Sequence, residues 1–405
     1  MAKEKITDQE LITRIRGEIT ASLGYMGDTI SQQREQAIAY YYGLPFGNEV
    51  EGRSQYVDST VQDTIEWIKP SLMRVFASGD EMVKFSPHGP EDVEMAKQAT
   101  DYVNFVFTKD NPGWEILYSW FTDALLSKNG IVKVWWDETE SSEREEYSNL
   151  TEDELAVLIN DPDVEVIEHT APGEEEESDY GVSSGSGHSV VIKRTDYNGG
   201  IKIENVPPSE FLIARESKDI QESRFVCHRV LKTLSELREM YPDEDLDPED
   251  LGGGDDSMMA FSAERLERYK YDKSALYWEG WGDSGTDEEG LRTYWLHESY
   301  LKTDYDGDGI TELRKVCSVG SNVLSNEAID RIPFVSITPI KIPHKFFGLS
   351  VADLVMDLQL IKSTMMRTLL DNAYNQNYGR YAVLEGQANL DDLLTQRPGG
   401  VVRVK

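Results

Sequence analysis

The sequence predicts an α+β protein, and three observations carry that expectation. Residues 7–129 place apolar side chains at helical spacing, short stretches between 131 and 342 alternate with period two, and one long amphipathic helix follows Gly348. Helices come first and strands after them, without the regular strand–helix–strand alternation of a nucleotide-binding sheet.

Residues 7–43 read as a helix or helix pair, with Leu11, Ile12, Ile15, Ile19 and Leu23 in one stripe and Gly43 at the end. A second helix covers 59–79, with Val61, Ile65, Ile68, Leu72, Val75 and Phe76 on one side. Pro70 lies inside it and is expected to kink or split it, because proline removes a helical donor and crowds the preceding turn. A third helix runs through 90–108. A fourth spans 112–130, with Pro112 near its start and Gly130 just past its end. "IVKVWW", "SVVIKRT" and "GIKIENV" alternate as strands, the last stopped by Pro207 and Pro208. "TLSELREMYPD" is a short capped helix. From 291 the pattern is β again, through "RTYWLHESYLKT", "ITELRKVCSVGS" and "IPFVSITPIKI". The final helix carries Val351, Val355, Leu358, Ile361, Met365, Leu369 and Ala373 at steps of three and four, which predicts one apolar face. Asp353, Asp357, Lys362, Arg367 and Asp371 lie alongside, which suits a helix with its other side to water, and the first four are expected to face a channel or a partner.

Two stretches interrupt this order. Residues 139–188 are acidic and then Gly/Ser-rich, and their core reads as a solvated insertion, with room for a short helix at "TEDELAVLIND". Residues 243–257 form a second acidic, Gly-rich linker.

The charge sets limits on partners. With 75 acidic and 40 basic residues among 405, the chain carries a formal charge of −35, which excludes gripping nucleic acid by phosphate neutralisation. Passing DNA through without holding it is compatible with that charge. Only Cys227 and Cys317 are present, so neither a disulfide framework nor a structural zinc site is implied. The first residues are charged and helical, without the apolar core of a signal peptide. No stretch reaches the roughly 18 apolar residues of a membrane span.

One motif stands out: "TDYDGDGITELRK", residues 303–315. Asp304, Asp306 and Asp308 alternate ahead of Gly309, a pattern that aims hard oxygen ligands at one point while glycine permits a sharp turn. An EF-hand needs Glu at loop position 12, where this chain has Lys315, and the flanks are strand-like. A compact calcium or magnesium turn, completed by Glu312 and the Ile310 carbonyl, remains open beside a metal-free acidic hairpin turn. A nucleophilic Asp-x-Asp is the weaker reading, because the preceding "HESYLKT" is polar rather than a buried apolar strand. Other chemistry is sparse. The six histidines are scattered, there is no Walker-type phosphate loop, and "GVSSGSGHS" resembles a nucleophile elbow only in composition.

A resemblance adds to this. "REQAIAYYYG", "GRSQYVDSTVQDTIEWIKPSLMRVF", "DALLSKNGIVKVWWD", "VPPSEFLI" and "LHESYLKTDYDGDGITELRKV", in that order and spacing, resemble the portal proteins of tailed bacteriophages, in particular the large portals of short-tailed phages. The segment from "IPFVSITPIKI" through "NAYNQNYG" resembles the part that leaves the portal clip and climbs the stem. The similarity spans most of residues 30–405. It implies a portal fold with a helical wing, long stem helices and a β-containing clip, assembled as a ring of twelve subunits at one capsid vertex. On this similarity 1–257 is the wing, 258–290 the lead-in to the stem, and 291–335 the clip with its β-hairpin. The second stem helix region is 336–379, and 380–405 begins a tunnel-side return, with the chain ending before a crown. Val351, Val355, Leu358, Ile361, Met365 and Leu369 would then be inter-subunit stem residues.

The implied role is a non-enzymatic channel for packaging and ejecting double-stranded DNA. The implied partners are the terminase large subunit, a head-completion or adaptor protein, and the major capsid and scaffolding proteins. The chain would be assembled in the host cytoplasm, reside in the virion and meet no membrane. No cofactor is required, with calcium or magnesium left open at the aspartate turn. The alternative is an acidic calcium-binding surface or adhesion module built around Asp304–Glu312.

Overall fold

The computed structural model describes residues 5–77, 79, 81–137, 140–159, 164–170, 188–197, 199–242, 244, 246–248, 290 and 292–377. Helix α1 (Asp8–Tyr25) starts where Thr7 Oγ1 accepts the Glu10 amide at 3.4 Å, with Asp8 and Glu10 in the first turn at the positive end of the helix dipole. Leu11, Ile12, Ile15 and Ile19 are buried, as the stripe predicts. A π-helical stretch, Met26–Ser31, leads directly into α2 (Gln32–Tyr41), so the expected pair is one continuous path.

Helix α3 (Thr60–Phe76) runs unbroken through Pro70, which does not split it. Its buried residues Val61, Ile65, Lys69 and Met73 lie on both sides of the proline, and Lys69 Nζ reaches Glu66 at 2.6 Å and the Tyr118 hydroxyl at 2.9 Å. Packing on both flanks holds the helix across the missing hydrogen bond. Helix α4 (Val93–Phe105) ends in a second π turn at Val106–Asp110, and α5 (Gly113–Ser127) follows. Lys128 takes a left-handed conformation (φ 75°) beyond α5, and a Cβ on Gly130 would lie 2.4 Å from the Trp120 carbonyl oxygen, so only glycine fits there.

The strands form three antiparallel sheets. In the first, β1 (Gly130–Asp137) lies between β11 (Phe334–Ile337) and β5 (Gly200–Val206). The second contains β6 (Phe211–Ile213), β7 (Phe225–Thr233), β8 (Thr293–Thr303), β9 (Glu312–Val319) and β10 (Asn322–Ala328), in the order β10-β9-β8-β7-β6. β7, from the stretch assigned to the wing, pairs with β8, from the stretch assigned to the clip, from Phe225↔Leu301 to Thr233↔Thr293. The two stretches thus share one sheet. β10 had no strand signal of its own in the sequence.

The third sheet corrects the reading of 139–188 as a solvated insertion. β2 (Glu140–Leu150), β3 (Val164–Thr170) and β4 (His188–Tyr197) pair in the order β2-β4-β3, and α6 (Glu152–Ile159) packs Leu155 on buried Val190 and Ile192. In β3 Glu165 lies between Val164 and Val166, an alternation that the acidic composition of the stretch disguised, while β2 is polar along most of its length. The Gly/Ser-rich part, the lead-in at 258–290 except Gly290, and residues 380–405 lie outside the described residues. Helix α7 (Leu234–Met240) has a full capping box between Thr233 and Glu236.

The main core lies between α1 and the strands. Phe334 meets Phe211 at 5.4 Å and Tyr300 at 5.5 Å, both edge-on. β8 is buried from Trp295 to Leu301 despite its polar sequence, because Glu298 is ion-paired. Its carboxylate accepts from Lys133 of β1 and from the Tyr300 hydroxyl at 2.6 Å, with Lys315 at 3.7 Å. His228 Nδ1 stands 3.7 Å away, beyond hydrogen-bond reach. Burial works to raise the Glu298 pKa, but the polar and charged groups around it outweigh burial and hold the carboxyl well below its ordinary value of 4.5. Burial first, and then Glu298, push the Tyr300 hydroxyl up.

Glu298→Ala leaves the half-buried Lys133 without its partner and should cost up to about 3 kcal/mol in urea unfolding. Because the folded carboxyl's pKa is depressed, its contribution is complete above pH 4.5 and is lost as pH falls below it. The wild type should therefore lose stability on acidification more steeply than Glu298→Ala.

Candidate functional site

Helix α8 (Val351–Asn377) has two unlike faces. It starts at Ser350, whose Oγ accepts the Asp353 amide at 3.0 Å while Asp353 Oδ2 accepts the Ser350 amide at 2.7 Å. Asp353 Oδ2 also pairs with buried Lys128 at 2.5 Å. Asp353 therefore points into the chain, which corrects its reading as a channel- or partner-facing residue.

The buried face beyond the first turns is polar. Gln359 Oε1 accepts the Val61 amide at 2.8 Å, and its Nε2 donates to the Tyr40 carbonyl at 2.8 Å. Ser363 Oγ accepts the Asp58 amide at 3.0 Å. Arg367 donates to the Tyr56 carbonyl at 2.7 Å, to Asn48 at 2.6 Å and to Glu49 at 2.5 Å. Asp371 Oδ1 accepts the Ser54 amide at 2.8 Å. These residues recur every fourth position, so one helix face carries a ladder whose rungs meet the end of α2, the start of α3 and the backbone of the loop between them. Arg367, also read as facing a channel or partner, is a rung of this ladder. Burial opposes ionisation of Glu49, but the backbone amide of Phe46, its own amide, Arg367 and the Gly47 amide hold its carboxyl below the usual range.

The predicted apolar stripe divides. Val351 and Val355 pack on the core formed by Ala37, Ile38, Val61, Ile65 and Leu125. Leu358, Ile361, Met365 and Leu369, joined by Leu354, instead form a ridge whose members are 55–67% exposed. The physical reason is the neighbour. An irregular loop offers unpaired N–H and C=O groups, which need polar side chains opposite them. Asp357 is exposed, and Lys362 is exposed and donates to Thr60 Oγ1 at 2.8 Å. Sequence reasoning missed Gln359 and Ser363 and read Asp371 only as a charged residue beside the stripe, although the four-residue spacing of all three with Arg367 was visible.

At the aspartate turn, each carboxylate accepts backbone amides. Asp304 accepts those of Gly307 at 2.9 Å and Gly309 at 3.1 Å, Asp306 that of Asp308 at 3.2 Å, and Asp308 that of Ile310 at 2.6 Å. Gly307 (φ 79°) and Gly309 (φ 95°) supply the left-handed turns. Oxygens of the three aspartates lie within 4.8 Å of one another, hard donors of the kind calcium or magnesium takes. Glu312 is outside this group and pairs with Arg314 at 2.9 Å, while the Ile310 side chain is exposed. Arg314 lies 3.9 Å from the Tyr305 ring centroid and Lys5 4.8 Å, so the base of the turn is clamped between cations.

Helix α8 is thus anchored by polar rungs on one face and bare along an apolar ridge on the other. The family model described as Phage SU10 portal protein matches residues 11–405, and the chain belongs to that family of bacteriophage portal proteins. Comparison with curated proteins finds no significant match. No helix among the described residues is long and apolar enough to cross a membrane.

Gln359→Leu leaves the Val61 amide without its partner, while the Tyr40 carbonyl keeps the Gly43 amide at 3.2 Å, and should cost about 1–3 kcal/mol in chemical unfolding; Leu358→Gln on the opposite face should stay within about 0.5 kcal/mol. Replacing Asp304, Asp306 and Asp308 with Asn should leave the fold intact by circular dichroism, since amide oxygens accept the same bonds. Calorimetry with millimolar calcium then decides the metal question: a thermal gain in wild type alone assigns an ion to the turn, and equal responses assign the turn to backbone capping.

Proposed function

We propose that the chain is the repeating subunit of a portal ring at one capsid vertex, through which double-stranded DNA is packaged and later ejected. The family match over residues 11–405 supports the portal assignment, and the exposed ridge on α8 is the single observation that carries the assembly. Four or five large apolar side chains in line are expensive to leave in water, each gaining about 1.5–3 kcal/mol on full burial. A neighbouring copy meeting a different patch makes a heterologous contact, which closes into a ring when the rotation fits. Twelve subunits is the proposed number. The acidic balance of −35 suits a conduit, because repulsion keeps phosphate from sticking to the walls.

The terminase large subunit, a head-completion or adaptor protein, and the capsid and scaffolding proteins are the proposed partners, with the mature ring in the virion. The acidic turn at 304–309 offers them a rigid, negatively charged contact. An adhesion module built on that turn is not favoured, since the family match covers helices and sheets well beyond it.

Negative-stain imaging of the purified chain should show rings, and Leu358→Asp with Met365→Asp should abolish them. Both side chains are more than half exposed, so the variant should keep its melting transition while sedimenting as monomers or irregular oligomers. Normal rings from the double variant would show that α8 is not an inter-subunit element.

A further inference from the structure

We propose that His169 and His188 form a binding site for a borderline transition-metal ion such as zinc, nickel or copper(II). They are 19 residues apart, yet His169 Nε2 lies 3.0 Å from His188 Nδ1, with ring centroids 5.1 Å apart and planes inclined by 19°. Two imidazole nitrogens bound to one zinc at about 2.0–2.1 Å stand roughly 2.9–3.4 Å apart for angles from square to tetrahedral, which includes the observed spacing.

The sheet is built to make this meeting. On β4, His188, Val190 and Ile192 share one face, and Val190 and Ile192 are buried under α6. Uninterrupted pairing after Val166↔Ile192 would set Glu168 opposite Val190 and turn His169 to the other side. A register shift between Val166 and Glu168 instead sets His169 opposite Val190 and beside His188. A second shift, between Tyr147 and Leu150, sets Leu150 opposite His188. The two bulges gather imidazoles and apolar side chains at one end of the sheet.

A hydrogen bond between the rings alone is a weak reason for such a meeting. It requires one bare and one protonated nitrogen, and at an exposed strand end water competes for both. A metal ion uses both nitrogens bare. In the neutral pair the proton on the facing nitrogen moves to the far nitrogen of its own ring, so no net proton is released. Imidazole ligands select zinc, nickel or copper over calcium and magnesium, which separates this pair from the aspartate turn. Water completes the coordination. A bound ion would clasp the end of β3 to the start of β4, fixing both ends of the 171–187 connection. This inference does not depend on the portal reading.

The test is calorimetric titration of the untagged full-length chain with zinc chloride. Wild type should bind one zinc ion per chain through this pair. His169→Ala and His188→Ala should each weaken that binding at least about tenfold, since loss of outer-shell partners alone costs about 10–100-fold. His88→Ala, at an exposed histidine elsewhere, should leave it unchanged. Calcium chloride should give no signal that depends on His169 or His188. Should an alanine variant lose its melting transition, His169→Gln and His188→Gln give the same reading with a bulkier polar side chain. No zinc binding by wild type, or equal isotherms in wild type and the histidine variants, overturns the proposal.

Discussion

The backbone of the loop between α2 and α3 constrains everything placed around it. Its peptide groups at Ser54, Tyr56 and Asp58 turn to Asp371, Arg367 and Ser363, and the Val61 amide, in the first turn of α3 where a helix has no acceptor of its own, turns to Gln359. A buried amide or carbonyl without a partner costs about 1–3 kcal/mol, comparable to what one large apolar side chain gains by burial. Satisfying the loop therefore fixes the rotation of α8 about its axis. That rotation turns Leu358, Ile361, Met365 and Leu369 outward, and any surface that covers them recovers the hydrophobic free energy the isolated chain gives up. Local hydrogen bonding and the exposed ridge are linked through a single helix.

A second constraint ties the sheets together. Lys133 on β1 and Glu298 on β8 belong to different sheets, and their ion pair sits beside the aromatic contacts of Phe334 with Tyr300 and Phe211. A buried pair of this kind is better understood as fixing how the sheets register than as a large net gain, because desolvation offsets much of the attraction. Arg14 extends the same logic to α1 by donating to Thr303 at 3.0 Å, next to the aspartate turn. The turn is thus rigidly held at its base, while its carboxylates are occupied by its own amides.

Sequence by itself determined the α+β class, helices α1 to α5 within a few residues, the capped α7, the long α8 and the strands whose alternation is apolar against polar. These follow from local rules: side-chain periodicity, capping residues and glycine or proline stops act within a few residues of one another. The order of segments also carried the resemblance to portal proteins. Tertiary structure decided which face of α8 is buried, because the helix pattern holds both an apolar stripe and a polar ladder and only the neighbouring loop selects between them. It decided that Pro70 lies within an unbroken helix, that "HESYLKT" is a buried strand, and that the acidic 140–197 stretch contains a three-stranded sheet. It also brought His169 to His188 through a bulge that no spacing rule anticipates. In each case the deciding partner lies far away in sequence, or a one-residue register shift reverses a face, and neither is written in local composition.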